Sequence, residues 1–467
     1  MQKAIRVRLH VLSPVHIGCD DVYEPTGFVI DREQKKLIAF DPMDFVGTLS
    51  EQDRKKFLGI CEKGTMESII EIYRFMNEHK GGIDGHSVGI TDGFIDSYNR
   101  VARMSTSNSR SIQQELNKFL VSRTSYAPLD NAAYIPGSAL KGALRTGWLN
   151  RLNNRQPRQG ARGSMLESEL LGGTFAEDPF RMVKVSDFLP VGTPETHICF
   201  AVNKKKRSSK YEAQGPNQIL EVIQPGAIFE GVITIHSPES TAKLQQKRAV
   251  PVSEEFLRQA LAFFAGELTN QESLLQGIGL SSNVRSKLNA HLPVRLGRHS
   301  GAEALTIEGA RSIKIMGKRG EQAKYLPNSS TLWFAAETPK ADSGLQPFGW
   351  VALEVLAMDS GALYPARSFS DKVSRRAIPI VAPVPVLSVT SENVIWENAI
   401  LTWDIGRKVL KAMNGADRAE LRIGDDRSLV PEGLHKKLFV KKDAVTAKLT
   451  LEKQGRMFKI VSVEQLA

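Results

Sequence analysis

Cysteine is scarce in this chain of 467 residues, which holds only Cys19, Cys61 and Cys199. The number is odd, the three positions are far apart, and no Cys-x-x-Cys pair occurs. This pattern argues against a disulfide framework and against a structural zinc site made of thiolates. We expect neither a cofactor nor a bound metal.

Long hydrophobic runs are also missing, and no apolar segment is long enough to span a membrane. The first residues do not resemble a signal peptide, because their apolar side chains alternate with Lys3, Arg6, Arg8 and His10, as in a β-strand. We therefore expect a cytoplasmic protein with no membrane partner.

Familiar catalytic motifs and base-stacking motifs are absent from the sequence. It contains no His-Glu-x-x-His, no nucleophile elbow and no Ser-His-Asp order. Aromatic residues make up only 7% of the chain, and none of them forms the string on which RNA-recognition sheets stack bases. Any RNA contact is therefore expected mainly from loops and backbone.

Positive charge is what the chain has in excess. Its 62 lysines and arginines exceed its 51 acidic residues, which gives a formal net charge of +11 and an isoelectric point near 9.4. Such a balance favours a polyanionic partner. The 41% hydrophobic and 24% charged content is that of a globular protein, and the length predicts roughly three structural units.

One stretch, from Ala133 to Leu152, combines a turn, a helix and two cations. Pro136-Gly137 turns the chain, and Ser138 is expected to cap the helix that follows. Lys141 and Arg145 are one helical turn apart, so they and the free amides favour an anion. The alternative is an ordinary capped amphipathic helix with a solvated basic edge. Its buried stripe comprises Leu140, Leu144, Trp148, Leu149 and Leu152.

The order of strand and helix patterns predicts an α+β fold with two tandem ferredoxin-like (RRM-like) domains. The first is expected over residues 1–177 with a helical insertion at about 50–121, and the second over 178–356. A proline-rich linker is predicted at 357–395, and a small all-β module at 396–467. The second domain carries another glycine-rich basic turn, Gly297–Gly301.

Several carboxylates and histidines are candidates for ribonuclease chemistry. Metal-dependent cleavage needs carboxylates around a hard cation, and the ones to consider are Asp20 and Asp21 in a loop and Asp31 at an expected strand end. Solvated or turn-forming roles are the alternative for each. A metal-free ribonuclease needs a general base, for which the candidates are His10, His16 and His299.

Six segments, in this order, resemble those of CRISPR proteins of the RAMP superfamily. The two most specific are LSPVHIGCDDVYEPTGFVID and RTSYAPLDNAAYIPGSALKGALRTG, and the latter contains a Pro-Gly-Ser-x-x-Lys-Gly-x-x-Arg pattern. DPFRMVKVSDF, EVIQPGAIFEGVITI, LPVRLGRHSGAEALT and PFGWVALEV follow. Their order is similar to the order of the corresponding segments in the subunit that caps the crRNA 3′ end in the type III-A (Csm) effector complex. The resemblance covers about residues 1–356 and leaves the terminal module unmatched.

This resemblance implies a non-catalytic subunit that binds crRNA, supports its maturation in antiviral defence and caps the backbone filament. The implied partners are crRNA, the repeating RAMP backbone subunit, other type III-A subunits and cellular nucleases that trim the crRNA. Carried over by motif, the RNA-binding residues are Gly137, Ser138, Lys141, Gly142 and Arg145, then Gly297, Arg298 and Gly301, with His16 and Gly18 shaping the first loop. The competing hypothesis is a metal-dependent endoribonuclease of the backbone type.

Overall fold

The structure is a computed structural model, and its contacts divide the chain into two compact units, Met1–Ser370 and Asp371–Ala467. The predicted linker at 357–395 lies almost wholly outside the described residues. The described residues are 2–81, 83–105, 109–128, 130–157, 163–173, 178–206, 218–236, 254–274, 290–316, 322–356, 393–404, 409–415, 417–423, 429–441, 443–454 and 457–465.

The first unit contains two large sheets and one small hairpin. One sheet has the order β12-β17-β1-β11-β7, with β8 also paired to β11. The other has the order β2-β6-β10-β9-β5-β4-β3, with β15 paired to β9 and β16 to β15, while β13 pairs with β14. The strands are β1 (Gln2–Val11), β2 (Gly18–Val22), β3 (Phe28–Asp31), β4 (Lys36–Ala39), β5 (His86–Ile90), β6 (Val121–Thr124), β7 (Val183–Val185), β8 (Leu189–Pro190), β9 (Thr196–Lys205), β10 (Gln218–Ile223), β11 (Ile228–His236), β12 (Leu292–Arg295), β13 (Ile313–Ile315), β14 (Lys324–Leu326), β15 (Thr331–Ala336), β16 (Gln346–Pro347) and β17 (Trp350–Val355).

β1 lies inside the first sheet, antiparallel to both β11 and β17. Its alternating sequence forms a strand as predicted, because Ile5, Val7 and Leu9 are buried in the core while Arg8 and His10 lie on the opposite face. Full burial of each aliphatic side chain contributes about 1.5–3 kcal/mol.

Two helices, α6 and α8, complete the core of this sheet. Leu140 and Leu144 of α6 are fully buried, as the apolar spacing predicts. The helices approach so closely that a Cβ at Gly147 would overlap the carbonyl oxygen of Ala260. No helix in the described part of the chain is both long and apolar enough to cross a membrane. The helices of this unit are α1 (Pro42–Thr48), α2 (Glu51–Glu62), α3 (Met66–Glu78), α4 (Asp92–Ala102), α5 (Ser109–Lys118), α6 (Gly137–Arg155), α7 (Gly163–Leu171) and α8 (Glu254–Leu274).

Both sheets take strands from either side of residue 177, where the sequence places its domain boundary. β1 pairs with β11, and β5 pairs with β9, so neither half of the first unit has a sheet of its own. The mixed α+β class agrees with the prediction, but the expected division into two consecutive sheets is corrected. Strand pairing over such separations leaves no local signal in the sequence.

The region predicted as a helical insertion, at about 50–121, contains a strand. Helices α2, α3, α4 and α5 lie in it as expected, but β5 runs between α3 and α4 and pairs with β4 and β9. Its sequence, HSVGI, is short and follows a glycine-rich segment, so its hydrophobic pattern is weak. The insertion therefore supplies a strand to the second sheet.

The second unit contains a closed barrel of order β18-β19-β20-β22-β21. Its core includes the buried Trp396, Leu410, Leu449 and Leu451. A short helix, α9 (Glu432–His435), and a π-helical segment, Lys436–Lys441, accompany the strands, so this unit is not purely β. The strands are β18 (Asn393–Asp404), β19 (Val409–Asn414), β20 (Asp417–Arg422), β21 (Val445–Gln454) and β22 (Met457–Gln465).

Candidate nucleic-acid interface

The loop before β2 and the glycine-rich turn after β12 contact each other directly. The Arg298 amide donates a hydrogen bond to the His16 carbonyl oxygen at 2.8 Å. Gly297 has a φ of +82°, and a Cβ there would overlap the same oxygen. Glycine is required at this position by both its conformation and its contact. Two candidate loops that are about 280 positions apart in the sequence thus form one surface.

The turn itself is held by its own hydrogen bond and by unusual backbone angles. Ser300 Oγ donates to the Gly297 carbonyl oxygen at 2.7 Å, and His299 and Gly301 have φ values of +62° and +89°. Arg298 is exposed, and its guanidinium has no ion pair with another described residue. This turn therefore presents an available cation on a fixed backbone. It is followed by a short 3-10 turn, Glu303–Leu305.

His16 lies beneath this surface and is not part of it. Its side chain is buried, and Nδ1 lies 2.7 Å from the Glu221 carbonyl oxygen, so Nδ1 must carry the hydrogen. Burial lowers the pKa of His16, and the charge of Arg298 acts in the same direction. A neutral imidazole follows, which positions the loop and offers no positive charge to a phosphate. Gly18, at the start of β2, is exposed.

His299 is also held in its neutral form. Burial lowers its pKa to about 3, helped by the charge of Arg298. Its Nε2 lies 3.2 Å from Gln218 Oε1, and its ring packs against Trp333 and Phe348 with centroid separations of 4.7 and 5.3 Å. His299 therefore fills the space behind the turn instead of acting as a cation.

An arginine and a tyrosine, which the sequence interpretation did not single out, lie beside the bulged strand β2. The Arg123 guanidinium lies 3.6 Å from the centre of the Tyr126 ring, a cation–π distance. The Tyr126 hydroxyl donates to Asp21 Oδ2 at 2.8 Å. The only sequence signal for this pair is a cation and an aromatic three residues apart at the end of a strand, and that signal is weak.

The start of α6 differs from its prediction. Ser138 was expected to cap the helix, but Pro136 occupies the cap position without a side-chain hydrogen bond, and Ser138 is exposed in the first turn. Asp187 takes the capping role, because its Oδ1 accepts from the Gly137 amide at 2.9 Å. A Cβ at Gly137 would overlap the Val185 carbonyl oxygen, so glycine allows this close approach.

A cationic groove lies beside the first turns of α6. It is a cavity of about 820 Å³. Its lining contains four cations from Lys and Arg and a single carboxylate, so its net charge is positive. The lining residues are Lys141, Arg145, Asp178, Phe180, Arg181, Met182, Lys184 and His236. We call this the α6 groove.

Lys141 and Lys184 are the most available cations of the α6 groove. Neither has an ion-pair partner among the described residues. Burial lowers the pKa of Lys141, and the neighbouring charge of Lys184 lowers it further. An anion between them would relieve this repulsion. Lys184 was missed by the sequence interpretation, although it occupies an exposed alternate position of β7.

Arg145 is held by carboxylates in this groove. Its guanidinium forms ion pairs with Asp178 at 2.5 Å and with Glu167 at 2.9 Å. Its contact with phosphate stays a prediction, but its clearest role here is to tie α6 to α7 and to the 3-10 turn Pro179–Met182. Gly142 is exposed on the same helix, where a Cβ would meet no other atom within 4 Å.

The carboxylates considered for metal-dependent cleavage have other roles or partners. Asp31 Oδ1 accepts from the amides of Glu33 and Gln34, both at 3.0 Å, and so forms the turn between β3 and β4. Asp20 has a φ of +63° in the bulge of β2, and Asp21 holds Tyr126. Within the described residues, none of the three belongs to a cluster with metal-ligand spacing.

The fold and these loops define a mixed α+β protein that presents cations near its connections, an arrangement suited to the phosphates of a nucleic acid. The family model of the RAMP superfamily matches residues 8–283, which is more than half of the chain. This protein belongs to the RAMP superfamily.

Individual relatives also resemble this chain. A protein of Enterococcus italicus described as "CRISPR system Cms protein Csm5" is 24% identical over 299 residues, which is 62% of this chain and 75% of that protein. A chain in the cryo-EM structure of a Csm–crRNA–target RNA ternary complex of a type III-A CRISPR-Cas system has a TM-score of 0.50 and 19% identity, with 75% of this chain and 100% of that one covered. A crystal structure of T. onnurineus Csm5 has a TM-score of 0.43 and 16% identity, with 74% and 99% covered.

Proposed function

We propose that this protein is a non-catalytic, crRNA-binding subunit of a type III-A (Csm) CRISPR effector complex. It caps the backbone filament at the 3′ end of the guide, contacts the repeating RAMP subunit and supports crRNA maturation in the cytoplasm. The similarity to the Csm5 protein of Enterococcus italicus and membership in the RAMP superfamily support this assignment.

The observation that carries the proposal is the pair of lysines in the α6 groove. Burial and the charge of Lys184 lower the pKa of Lys141 although Asp178 acts in the opposite direction, and neither lysine forms an ion pair with a described residue. Two like charges that lie close together repel each other, and a bound polyanion offsets this repulsion. Phosphate contacts of this kind position a guide RNA regardless of its sequence.

Substitution of both lysines tests this function. We expect Lys141→Ala with Lys184→Ala to weaken crRNA binding by the purified protein, measured by fluorescence anisotropy over a series of salt concentrations. Each lost contact with single-stranded phosphate lowers the salt slope by about 0.7, so the double variant should lose about 1.4. An affinity and a slope equal to those of the wild type would rule out the α6 groove as the guide site.

A matched double variant controls for net charge. Lys55→Ala with Lys56→Ala on α2 removes the same two charges from exposed positions that pair with Glu51 and Asp53. We expect it to retain the affinity and salt slope of the wild type to within about twofold, because exposed pairs contribute little. Arg145→Ala is unsuited to a test of RNA contact, because it would leave Asp178 and Glu167 without their shared ion-pair partner.

The ribonuclease hypothesis has weaker support. Asp31 forms a turn, Asp21 binds Tyr126, and His299 has a pKa too low for a general base near neutral pH. Incubation with labelled crRNA and complementary RNA, with and without Mg²⁺, separates the two functions. Site-specific products that disappear in Asp21→Ala or His299→Ala would establish the ribonuclease instead.

A further inference from the structure

The outer face of the first sheet brings together two histidines and a glutamate that the RNA surface does not use. His10 lies on β1, Glu354 on β17, and His291 immediately precedes β12. β17 separates the other two strands, and Leu292 pairs with Leu353, which places His291 beside Glu354. The sequence interpretation expected no metal, and the sequence gives no local signal for this cluster, since His10 and Glu354 are 344 positions apart.

The three side chains bring one ligand atom each close together. One ligand atom from each lies within 4.8 Å of those of the other two. His10 Nε2 is 2.8 Å from Glu354 Oε2, and the two imidazole rings are 5.4 Å apart with only 6° between their planes. Ligand atoms around a tetrahedral Zn²⁺ lie roughly 3.4 Å from one another, so side-chain rotation alone can close the site.

We propose that His10, His291 and Glu354 bind a divalent transition-metal ion of the Zn²⁺ class. Two imidazole nitrogens and one carboxylate oxygen form a donor set that such ions prefer over Mg²⁺ and Ca²⁺, which take oxygen ligands. The metal would take the place of the hydrogen that His10 Nε2 shares with Glu354, and a neutral His10 would then carry its hydrogen on Nδ1. Three protein ligands leave one position for water.

The ligands lie on strands, so the site is largely preformed. All three side chains are half-buried, and β12 is the terminal strand of its sheet within the described residues. A metal here links that terminal strand to β17 and β1. Arg8 NH1 lies 3.7 Å from Glu354 Oε2 and competes with a metal for this carboxylate, while Arg8 also binds Glu230. The affinity is therefore expected to be moderated by Arg8.

Calorimetric titration of the chelator-treated full-length protein with ZnCl₂ tests the site, with Co²⁺ as a spectroscopic probe. We expect one Zn²⁺ per chain and visible Co²⁺ absorption bands. His291→Gln and Glu354→Gln should each lower the affinity at least about 10-fold, the minimum effect of disturbing even an outer ligand shell. His79→Gln, at a histidine of α3's C-terminal end outside the cluster, is the matched control and should bind as the wild type does.

A second variant tests the site without removing a ligand. Arg8→Gln takes away the competing cation and leaves all three ligands in place, so it should bind Zn²⁺ more tightly than the wild type. Circular dichroism shows whether each variant is folded. Absence of Zn²⁺ binding by the wild type, or an affinity that is unchanged in His291→Gln, Glu354→Gln and Arg8→Gln, would overturn the proposal.

Discussion

Gly297 shows how much of the candidate interface depends on one residue without a side chain. Its positive φ and its contact with the His16 carbonyl oxygen hold the two loops together. Neither feature can be recognised from the sequence, where Gly297 is one of 37 glycines. The sequence interpretation identified this turn only from the neighbouring residues, a glycine-rich run that contains Arg298.

We predict that Gly297→Ala destabilises the protein by more than about 2 kcal/mol. The positive φ alone costs an L-residue about 1–2 kcal/mol, and the overlap with His16 adds to this. Gly192→Ala is the control, because Gly192 has a similar φ of +85° but no atom within 4 Å of a Cβ. For Gly192→Ala, urea unfolding should show a free energy of unfolding that is lower by only about 1 kcal/mol. Equal losses in the two variants would mean that the loop contact is unimportant.

The neutral state of His299 leads to a pH dependence of stability. Its pKa is about 3 in the folded protein, whereas an unfolded histidine binds its proton near pH 6.5. Between these values the unfolded chain binds the extra proton, so stability falls as the pH decreases through this window. We predict that the free energy of unfolding of His299→Gln falls less steeply than that of the wild type between pH 6.5 and pH 4.

Urea titrations at intervals of half a pH unit provide the comparison. The control is the difference between the two proteins above pH 7, where the histidine is neutral in both states and the two curves should run parallel. Curves that remain parallel down to pH 4 would contradict the prediction.

Helix α6 is the element for which the sequence interpretation was most informative. Its apolar spacing predicted the buried Leu140 and Leu144. The cap was wrong because the helix begins at Gly137, one residue before Ser138, and the Gly137 amide donates to Asp187, 50 residues away. Local sequence patterns predict a helix and its buried face. They do not predict a hydrogen-bond partner that lies in a loop far away in the sequence.

Two glycines on α6, five residues apart, provide a matched test of its packing. Gly147→Ala should destabilise the protein by at least about 2 kcal/mol, because the new methyl group overlaps the Ala260 backbone of α8. Gly142→Ala adds the same group at an exposed site and should stabilise the protein by about 0.5–1 kcal/mol through helix propensity. Thermal and urea unfolding measure both. Destabilisation of the same size in both variants would contradict the close contact between α6 and α8.

At the scale of the whole molecule, the sequence predicted the α+β class but not the connectivity. The expected tandem domains met at residue 177, whereas each sheet of the first unit combines strands from both sides of that point. The alternation of side chains along a strand indicates which face of the strand is buried. It does not indicate which other strand it pairs with. The terminal barrel, in contrast, takes all of its strands from one continuous part of the sequence, β18 to β22.

The two units have separate cores, which predicts two unfolding transitions. Leu449→Ala, in the core of the barrel, should destabilise the second unit by about 2–5 kcal/mol and leave the transition of the first unchanged. Leu144→Ala should have the opposite effect, because this equally buried leucine belongs to the core beneath the first sheet. Differential scanning calorimetry resolves the two unfolding transitions. A single transition that both substitutions shift would show that the units unfold together.

The position of β1 determines when this protein can fold during its synthesis. β1 leaves the ribosome long before both of its neighbours in the sheet, which are β11 and β17, the latter at Trp350–Val355. At translation rates of about 5–20 residues per second, β1 waits for roughly 20–70 seconds before β17 emerges. During that interval the apolar face of an unpaired strand is exposed, so the nascent chain depends on chaperone binding or on early pairing with β11 to avoid aggregation.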